Sequence, residues 1–289
     1  MNTVVTNLSA GQPVPSDEAL RAIARAVNHR RWVLFLRVAV AVATLAGWEL
    51  AVRFGAIDPF FFSQPSAIYG QLLTWLGEGT AQGPLWRELL VTMEETVLGF
   101  LIGSVLGIAC GIALGRNKLA ADVFSIYIKV ANAIPRVVLG SIFIIMFGLG
   151  MGSKVALAVV MVFFVVFGNA FQGVREADKN LIANAYILGA NKRQVTWSVV
   201  FPSALSWILA SLHVSFGFAL VGAVVGEFLG ARHGIGLLIS TAQGTFNAAG
   251  VFAAMIVLAV VALAAEYLLT AIENRLLKWR PAQLVEHGM

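Results

Sequence analysis

The sequence runs to 289 residues, 59% of them hydrophobic and only 12% charged, with a mean hydropathy of +0.83. Ordinary globular domains carry about 25% charged residues, so this composition excludes a soluble enzyme or a nucleic-acid-binding module. The net charge of +5 fits the Lys and Arg that collect in the cytoplasmic loops of membrane proteins.

Four stretches, 97–114, 155–174, 199–226 and 234–265, contain no Asp, Glu, Lys or Arg. Each reaches the ~18 residues that cross a bilayer core as a helix. They are continuously apolar rather than alternating, so they read as helices, which satisfy their own backbone hydrogen bonds in lipid. The fold class is all-α, a polytopic membrane protein with six transmembrane helices. The single cysteine, Cys110, excludes an intrachain disulfide and a thiolate metal cluster. It reads as a small buried side chain.

In chain order, residues 1–31 form an N-terminal tail. Leu20, Ile23, Ala24 and Val27 follow helical spacing after Pro15-Ser16, with Arg21, Arg25, Arg30 and Arg31 among them. Two readings stand: a basic helix lying on the membrane surface, or a disordered tail. The apolar run that follows is too long, and lacks the cleavage site, for a secretory signal. Span one covers 32–54. The external segment after it, completing a region 32–88, is broken by Pro59, Pro65 and Ser66. It then carries Ile68, Leu72, Leu73 and Leu76 at amphipathic helical spacing.

The transmembrane core covers 89–273. Span two is 89–114; span three is 122–149, interrupted by Pro135; span four is 155–174; span five is 205–228; span six is 251–272. A cytoplasmic tail, 274–289, closes the chain. With both termini inside, thirteen of the twenty Lys and Arg residues fall in cytoplasmic segments. Only Arg53, Arg87, Lys154 and Arg232 fall outside, and Arg37, Lys129 and Arg136 lie within spans. That is a clear inside bias.

Span two carries Gly99, Gly103, Gly107, Gly111 and Gly115, an unbroken i,i+4 stripe that lets a neighbouring helix approach closely. Ionisable residues within spans mark function or pairing. For Arg136, two readings stand: a contact for an anion on the translocation path, or an ion pair with Glu95 or Glu227 that holds spans together. Glu95 and Glu227 are candidates for the same path, and Glu227 reads as a packing contact ahead of a gate. His213 reads as a hydrogen-bonded packing residue, because no second ligand stands at metal spacing. No catalytic residue and no metal site is read from the sequence.

The longest inside loop, 175–205, is apolar and periodic. Ala183, Ile187 and Ala190 fall on one side. Val195, Val199 and Val200 continue helically after Gly189-Ala190-Asn191, and Pro202 follows in the first turn of span five. It reads as helix, tight glycine turn, helix: a rigid cytosolic lever.

On these residues the chain resembles the permease subunits of type I ABC importers, in the group associated with nitrate, taurine and aliphatic sulfonates. That family's cytosolic signature is Glu-Ala-Ala, three residues, Gly, nine residues, Ile, one residue, Leu-Pro. Gly189 and Pro202 stand at the required spacing, with Val199 at the Ile place and Phe201 at the Leu place. The triplet is matched only at Ala185, since Ala183 takes the Glu position and Asn184 the first Ala. Further stretches are similar to the family's: "PFFFSQPSAIYGQLL", "ETVLGFLIGSVLGIACGIALG", "AIPRVVLGSIFIIMFGLGMGSK" and "VVGEFLGARHGIGLLI".

The resemblance implies a type I ABC importer permease fold with a coupling helix at 183–196, where Ala183, Asn184, Ala185, Gly189, Ala190, Lys192, Arg193 and Pro202 engage a cytosolic ATPase. It implies a second permease subunit, a homodimer foremost, with two ATP-binding subunits and an extracytoplasmic binding protein. The setting is the bacterial inner membrane. ATP and Mg belong to the ATPase, because this chain lacks a phosphate-binding Gly-x-x-x-x-Gly-Lys-[Ser/Thr] loop. The implied cargo is a small anion such as a sulfonate, taurine or nitrate. The alternatives are a neutral or heteroaromatic solute, or a stand-alone secondary transporter, which would show internal repeats.

Overall fold

The structure is a computed structural model and describes residues 17–276. The apolar positions Leu20, Ile23, Ala24 and Val27 lie outside the described side chains. The tail 277–289 and the start expected at Pro15-Ser16 lie outside the described residues. In chain order the helices are α1 (Asp17–Arg53), α2 (Pro59–Phe62), α3 (Pro65–Gly77), α4 (Leu85–Gly115), α5 (Lys118–Ala133) and α6 (Arg136–Phe147). There follow α7 (Met151–Arg175), α8 (Lys179–Ile187), α9 (Lys192–Val195), α10 (Phe201–Leu229), α11 (Ile235–Gly244) and α12 (Ala248–Leu276). A π-helical stretch, Thr196–Val200, joins α9 to α10.

The chain divides into two units: one holds α1 with 64–66, the other holds 60–63 and everything from Ala67 onward. In the first, α1 is one unbroken helix of 37 residues, about 55 Å long at 1.5 Å per residue. Glu49 near its end accepts from the Ser66 amide at 3.0 Å and hydroxyl at 2.9 Å, and pairs with Arg53 at 2.9 Å.

The larger unit is built around α7. Its inward stripe, Lys154, Ala158, Val162, Val166, Ala170 and Val174, repeats every four residues and is buried throughout. The glycines of α4 face it one for one. A Cβ on Gly99 would collide with Ala158; on Gly103 it would lie 2.8 Å from Val162 Cβ; on Gly107, 2.9 Å from Val166 Cβ; on Gly111, 2.7 Å from Ala170 Cβ; on Gly115, 2.9 Å from Val174 Cβ. The pairs advance in the same sense along both helices, so α4 and α7 run parallel. On the other flank α10 runs antiparallel. Gly222 backs onto Ala158 with room for no Cβ (2.7 Å to its Cα), Gly226 onto Lys154, and Ala204 against Gly173. Small residues at i,i+4 spacing are how helices pack where lipid removes the hydrophobic drive between them.

The interruption expected in span three at Pro135 is a sharp one: α5 and α6 meet at an 86° bend. Pro135 offers no N–H, and the residue before a proline is driven out of the helical region; Ile134 sits at ψ 126°. The halves, 16 and 12 residues, are each short of a bilayer's ~18 residues. Five helices are therefore long and apolar enough to cross alone, and six spans result only when the bent pair counts as one. Span two starts earlier than expected, at Leu85. Span five, α10, follows directly on α9 and the π-helical stretch in one helical run from Lys192 to Leu229, with Pro202 in the first turn of α10 as expected. The ladder widens there, with Phe201 N–H reaching Thr196 O, which accommodates a residue that cannot donate. In α3 the buried face is Ile68 with Trp75, whereas Leu73 and Leu76 point outward. Cys110 is exposed on α4, not buried, because the core face of that helix is the glycine stripe.

The glycine register yields a direct test. Gly107→Ala places a methyl 3.0 Å from Phe163 O and 2.9 Å from Val166 Cβ and should cost roughly 1–3 kcal/mol through overpacking. The expected readout is a lowered melting midpoint in detergent. Gly168→Ala, whose Cβ meets nothing within 4 Å, should leave the midpoint unchanged.

Candidate functional site

Continued past Gly99, the α4–α7 register places Glu95 opposite Lys154, and it is here that polar residues enter the core. On α4, Glu88, Thr92, Glu95 and Thr96 share the face of the glycine stripe, and all are buried. Lys154 is not in an external loop, as expected, but in the first turn of α7 and 1% exposed. Its Nζ donates to Leu149 O (2.6 Å) and Gly150 O (3.1 Å), while Ser153 donates to Gly148 O (2.8 Å). The turn after α6, made possible by Gly148 at φ +76°, thus folds the cation inward. Glu95 and Glu227 lie beside each other with Lys154 in electrostatic reach of both.

From the far end of α10, Glu227 completes a clasp on the start of α11. Three consecutive amides are taken by three side chains: Gly234 N–H by Glu88 Oε2 (2.6 Å), Ile235 N–H by Thr92 Oγ1 (2.9 Å), and Gly236 N–H by Glu227 Oε2 (2.7 Å). Thr92 in turn donates to Glu227 Oε1 (2.7 Å), and His233 Nδ1 meets Glu88 Oε1 at 3.0 Å. The first amides of a helix have no internal partner, and its N-terminus carries positive charge. Two carboxylates from other helices therefore find compensation inside a membrane protein, where an unpaired charge is costly. The glycines are required: Gly234 sits at φ +115° and a Cβ on it would run into Glu227, as would one on Gly236. Glu95 Oε2 remains buried without a hydrogen-bond partner. The groups are spent on one another; what they make is a holding device.

At the opposite end of α7 lies the loop singled out in the sequence. Asp178 caps α8 by accepting from Asn180 N–H (2.7 Å). The helix ends at Gly189, φ +87°, with Gly189 N–H on Tyr186 O and Ala190 N–H on Ala185 O, both 3.0 Å. This glycine-centred pattern closes helices where the backbone turns left-handed. Asn191 and Gln194 then cap α9 reciprocally, at 2.8 and 2.9 Å. The helix, glycine turn and helix expected of this loop are accordingly present, as two helices at a stiff corner. Val195, Val200, Ala204, Ala170 and Val174 form its footing, with Ile182, Ala185 and Ala190 packed against them. Ala183 and Ile187 face away from that footing, so Ala190 does not share their side. Ile187 and Leu188 project as an apolar ridge, 82% and 87% exposed, and Asn184, Lys192 and Arg193 are exposed around it.

Arg136, at the bend between α5 and α6, forms no ion pair with Glu95 or Glu227. It donates to Asn132 Oδ1 (2.7 Å) and lies over the Phe164 ring at 5.2 Å. His213 finds the carboxylate that linear spacing hid: its Nε2 meets Glu266 Oε1 of α12 at 2.6 Å, 53 residues away. Among the described residues no three His, Cys, Asp or Glu side chains gather as metal ligands. Glu88 and Thr92 were missed in the sequence, although Thr92 stands seven residues before Gly99 and Glu88 four before that, on the same buried face of α4.

Residues 103–278 match the family model of the binding-protein-dependent transport system inner membrane component. The chain belongs to this family. Its curated relatives include the taurine transport system permease protein TauC of Escherichia coli, 30% identical over 86% of this chain and 92% of that protein. The putative aliphatic sulfonates transport permease protein SsuC of Bacillus subtilis is 29% identical over 94% and 96%. The riboflavin transport system permease protein RibX of Chloroflexus aurantiacus is 28% identical over 88% and 94%. Among solved structures, an inward-facing MetNI methionine ABC transporter shares the fold, with a TM-score of 0.58 at 18% identity over 67% of this chain and 94% of that one. The protein is thus a membrane permease of the ABC importer class.

The clasp predicts the effect of Thr92→Val in this permease. Ile235 N–H and Glu227 each lose a partner, at roughly 1–3 kcal/mol per stranded buried group. Limited proteolysis should cut within 230–247 at lower protease concentration than in the wild type, and Thr92→Ser should restore resistance.

Proposed function

We propose that this permease forms the translocation path of an ATP-driven importer as a homodimer, with two cytosolic ATPase subunits and an extracytoplasmic binding protein. Both termini and the α8–α9 corner face the cytoplasm; the 230–247 segment faces outward. The observation that carries this reading is the α8–α9 corner, a doubly capped element footed on α7 and α10 that presents Ile187 and Leu188 to solvent. An apolar ridge on a stiff mount transmits a push. ATP-driven closure of the ATPases would draw two such corners together and open the path outward, and hydrolysis would reset it. Docking would rest on the Tyr186–Leu188 ridge and on Lys192 and Arg193, since Ala183 replaces the family's Glu.

For cargo we propose a small anion, a sulfonate or taurine, on the strength of similarity to TauC and SsuC over nearly the whole chain. A heteroaromatic solute is the second reading, favoured by similarity at 28% identity to RibX and to the formylaminopyrimidine permease ThiX of Halalkalibacterium halodurans. Of the three path candidates, Glu95 and Glu227 are buried with the clasp, which supports a holding role. Arg136, partly buried at the bend with a buried and unpartnered Nε, is the candidate to meet an anion.

Two outcomes test this. Gly189→Pro demands a φ near −65° where the chain holds +87°. In the assembled transporter, ATP hydrolysis should persist while solute uptake falls to background, and retained uptake would refute the coupling role. Ala183→Glu, at an exposed position, should leave uptake within about twofold. Separately, Arg136→Ala should raise the KM for taurine uptake at least tenfold, the size of one lost charged contact, with an unchanged melting midpoint. A lowered midpoint with normal KM would leave Arg136 a structural part only.

A further inference from the structure

Between the end of α3 and the start of α4 lies a cavity of about 330 Å³, at the lower end of the size range of ligand pockets. Its walls include Trp75, Trp86, Glu78, Thr80 and the turn glycines Gly79 and Gly83. The lining holds one acid and no base; Arg87, next to Trp86 in sequence, is not part of it.

Four features favour a positive ligand. Trp75 is 8% exposed and fixed in the core, whereas Trp86 is 64% exposed at the mouth, and indole faces attract cations more strongly than other rings. The Glu78 carboxylate has no protein partner among the described residues. The last turn of α3 lines the cavity, and unpaired carbonyls make a helix C-terminus negative. The opposing N-terminus of α4 is offset by Glu88 in its first turn; a Cβ on Gly83 would lie 3.9 Å from Glu88 Oε1. The rim is also preorganised. Thr80 N–H donates to Gly83 O (2.7 Å), Gly83 N–H to Thr80 O (3.2 Å) and the Thr80 hydroxyl to Gly83 O (2.8 Å).

We propose that this cavity binds an organic ammonium group. Trp86 stands in the first turn of a membrane-spanning helix, the level at which tryptophans meet the lipid headgroups. The ammonium can therefore come from a zwitterionic headgroup or from a free solute; the recognition chemistry is the same.

The test uses the full-length permease in nanodiscs, with two probes. Tetramethylammonium binding is titrated calorimetrically, with neutral tert-butanol as the control. Retention of phosphatidylethanolamine against phosphatidylglycerol is read by native mass spectrometry. At least one ammonium probe should bind selectively, and Glu78→Gln and Trp86→Leu should each weaken it by about tenfold or more, as loss of a charge or a cation–π face implies. Phosphatidylethanolamine enrichment alone assigns the site to lipid; tetramethylammonium binding alone assigns it to a solute. The proposal is overturned if neither probe binds, if tert-butanol binds as well, or if both variants bind like the wild type. It is equally overturned if the variants lose only the capture of a binding protein, since the cavity would then serve a protein side chain.

Discussion

Ala158 sits between two glycines, Gly99 of α4 and Gly222 of α10, and a Cβ on either would collide with it. That close approach recurs along α7 every four residues and sets where everything else in the larger unit can stand. In lipid, apolar side chains gain little by leaving one apolar medium for another, so helices associate through contact and hydrogen bonding. The glycines of α4 supply the contact over most of its length. Towards the start of α4 the same register delivers Glu95 to Lys154, and hydrogen bonding takes over.

The consequence is a rigid middle with two specialised ends. At one end, the amides that open α11 are held by Glu88, Thr92 and Glu227 from α4 and α10. At the other, the α8–α9 corner is footed on α7 and α10 through Val195, Val200 and Ala204. Both ends are therefore mounted on α10. On the proposed reading, a displacement imposed at Ile187 and Leu188 reaches the outer clasp through α10 without passing a flexible joint. The widened stretch at Thr196–Val200 is the place where that helix departs from α geometry, and Pro202 explains it.

Much of this was legible in the sequence, because charge-free runs of bilayer length and a five-glycine stripe are strong one-dimensional signals. The Gly189–Pro202 spacing was legible for the same reason: both residues act on the local backbone. What could not be read depends on partners distant in sequence. Lys154 looks like a loop cation until the turn at Gly148 folds it inward. The partner of His213 lies 53 residues away. The anchoring of Gly234 to Glu88 spans 146 residues. The bend at Pro135 was visible as an interruption, but not its 86°, which depends on what α5 and α6 pack against. Glu88 and Thr92 were within reach, had the stripe been followed past its last glycine into polar residues on the same face.

On the proposed reading, the α8–α9 ridge is where an ATPase engages this permease. A photo-crosslinking amino acid placed at Ile187, 82% exposed, tests it most directly when the chain is expressed with its native partners. The account predicts a covalent product containing an ATP-binding subunit from position 187, and none from Ile182, which packs against the core cluster. Capture of no ATPase at 187, or equal capture at both positions, would contradict it.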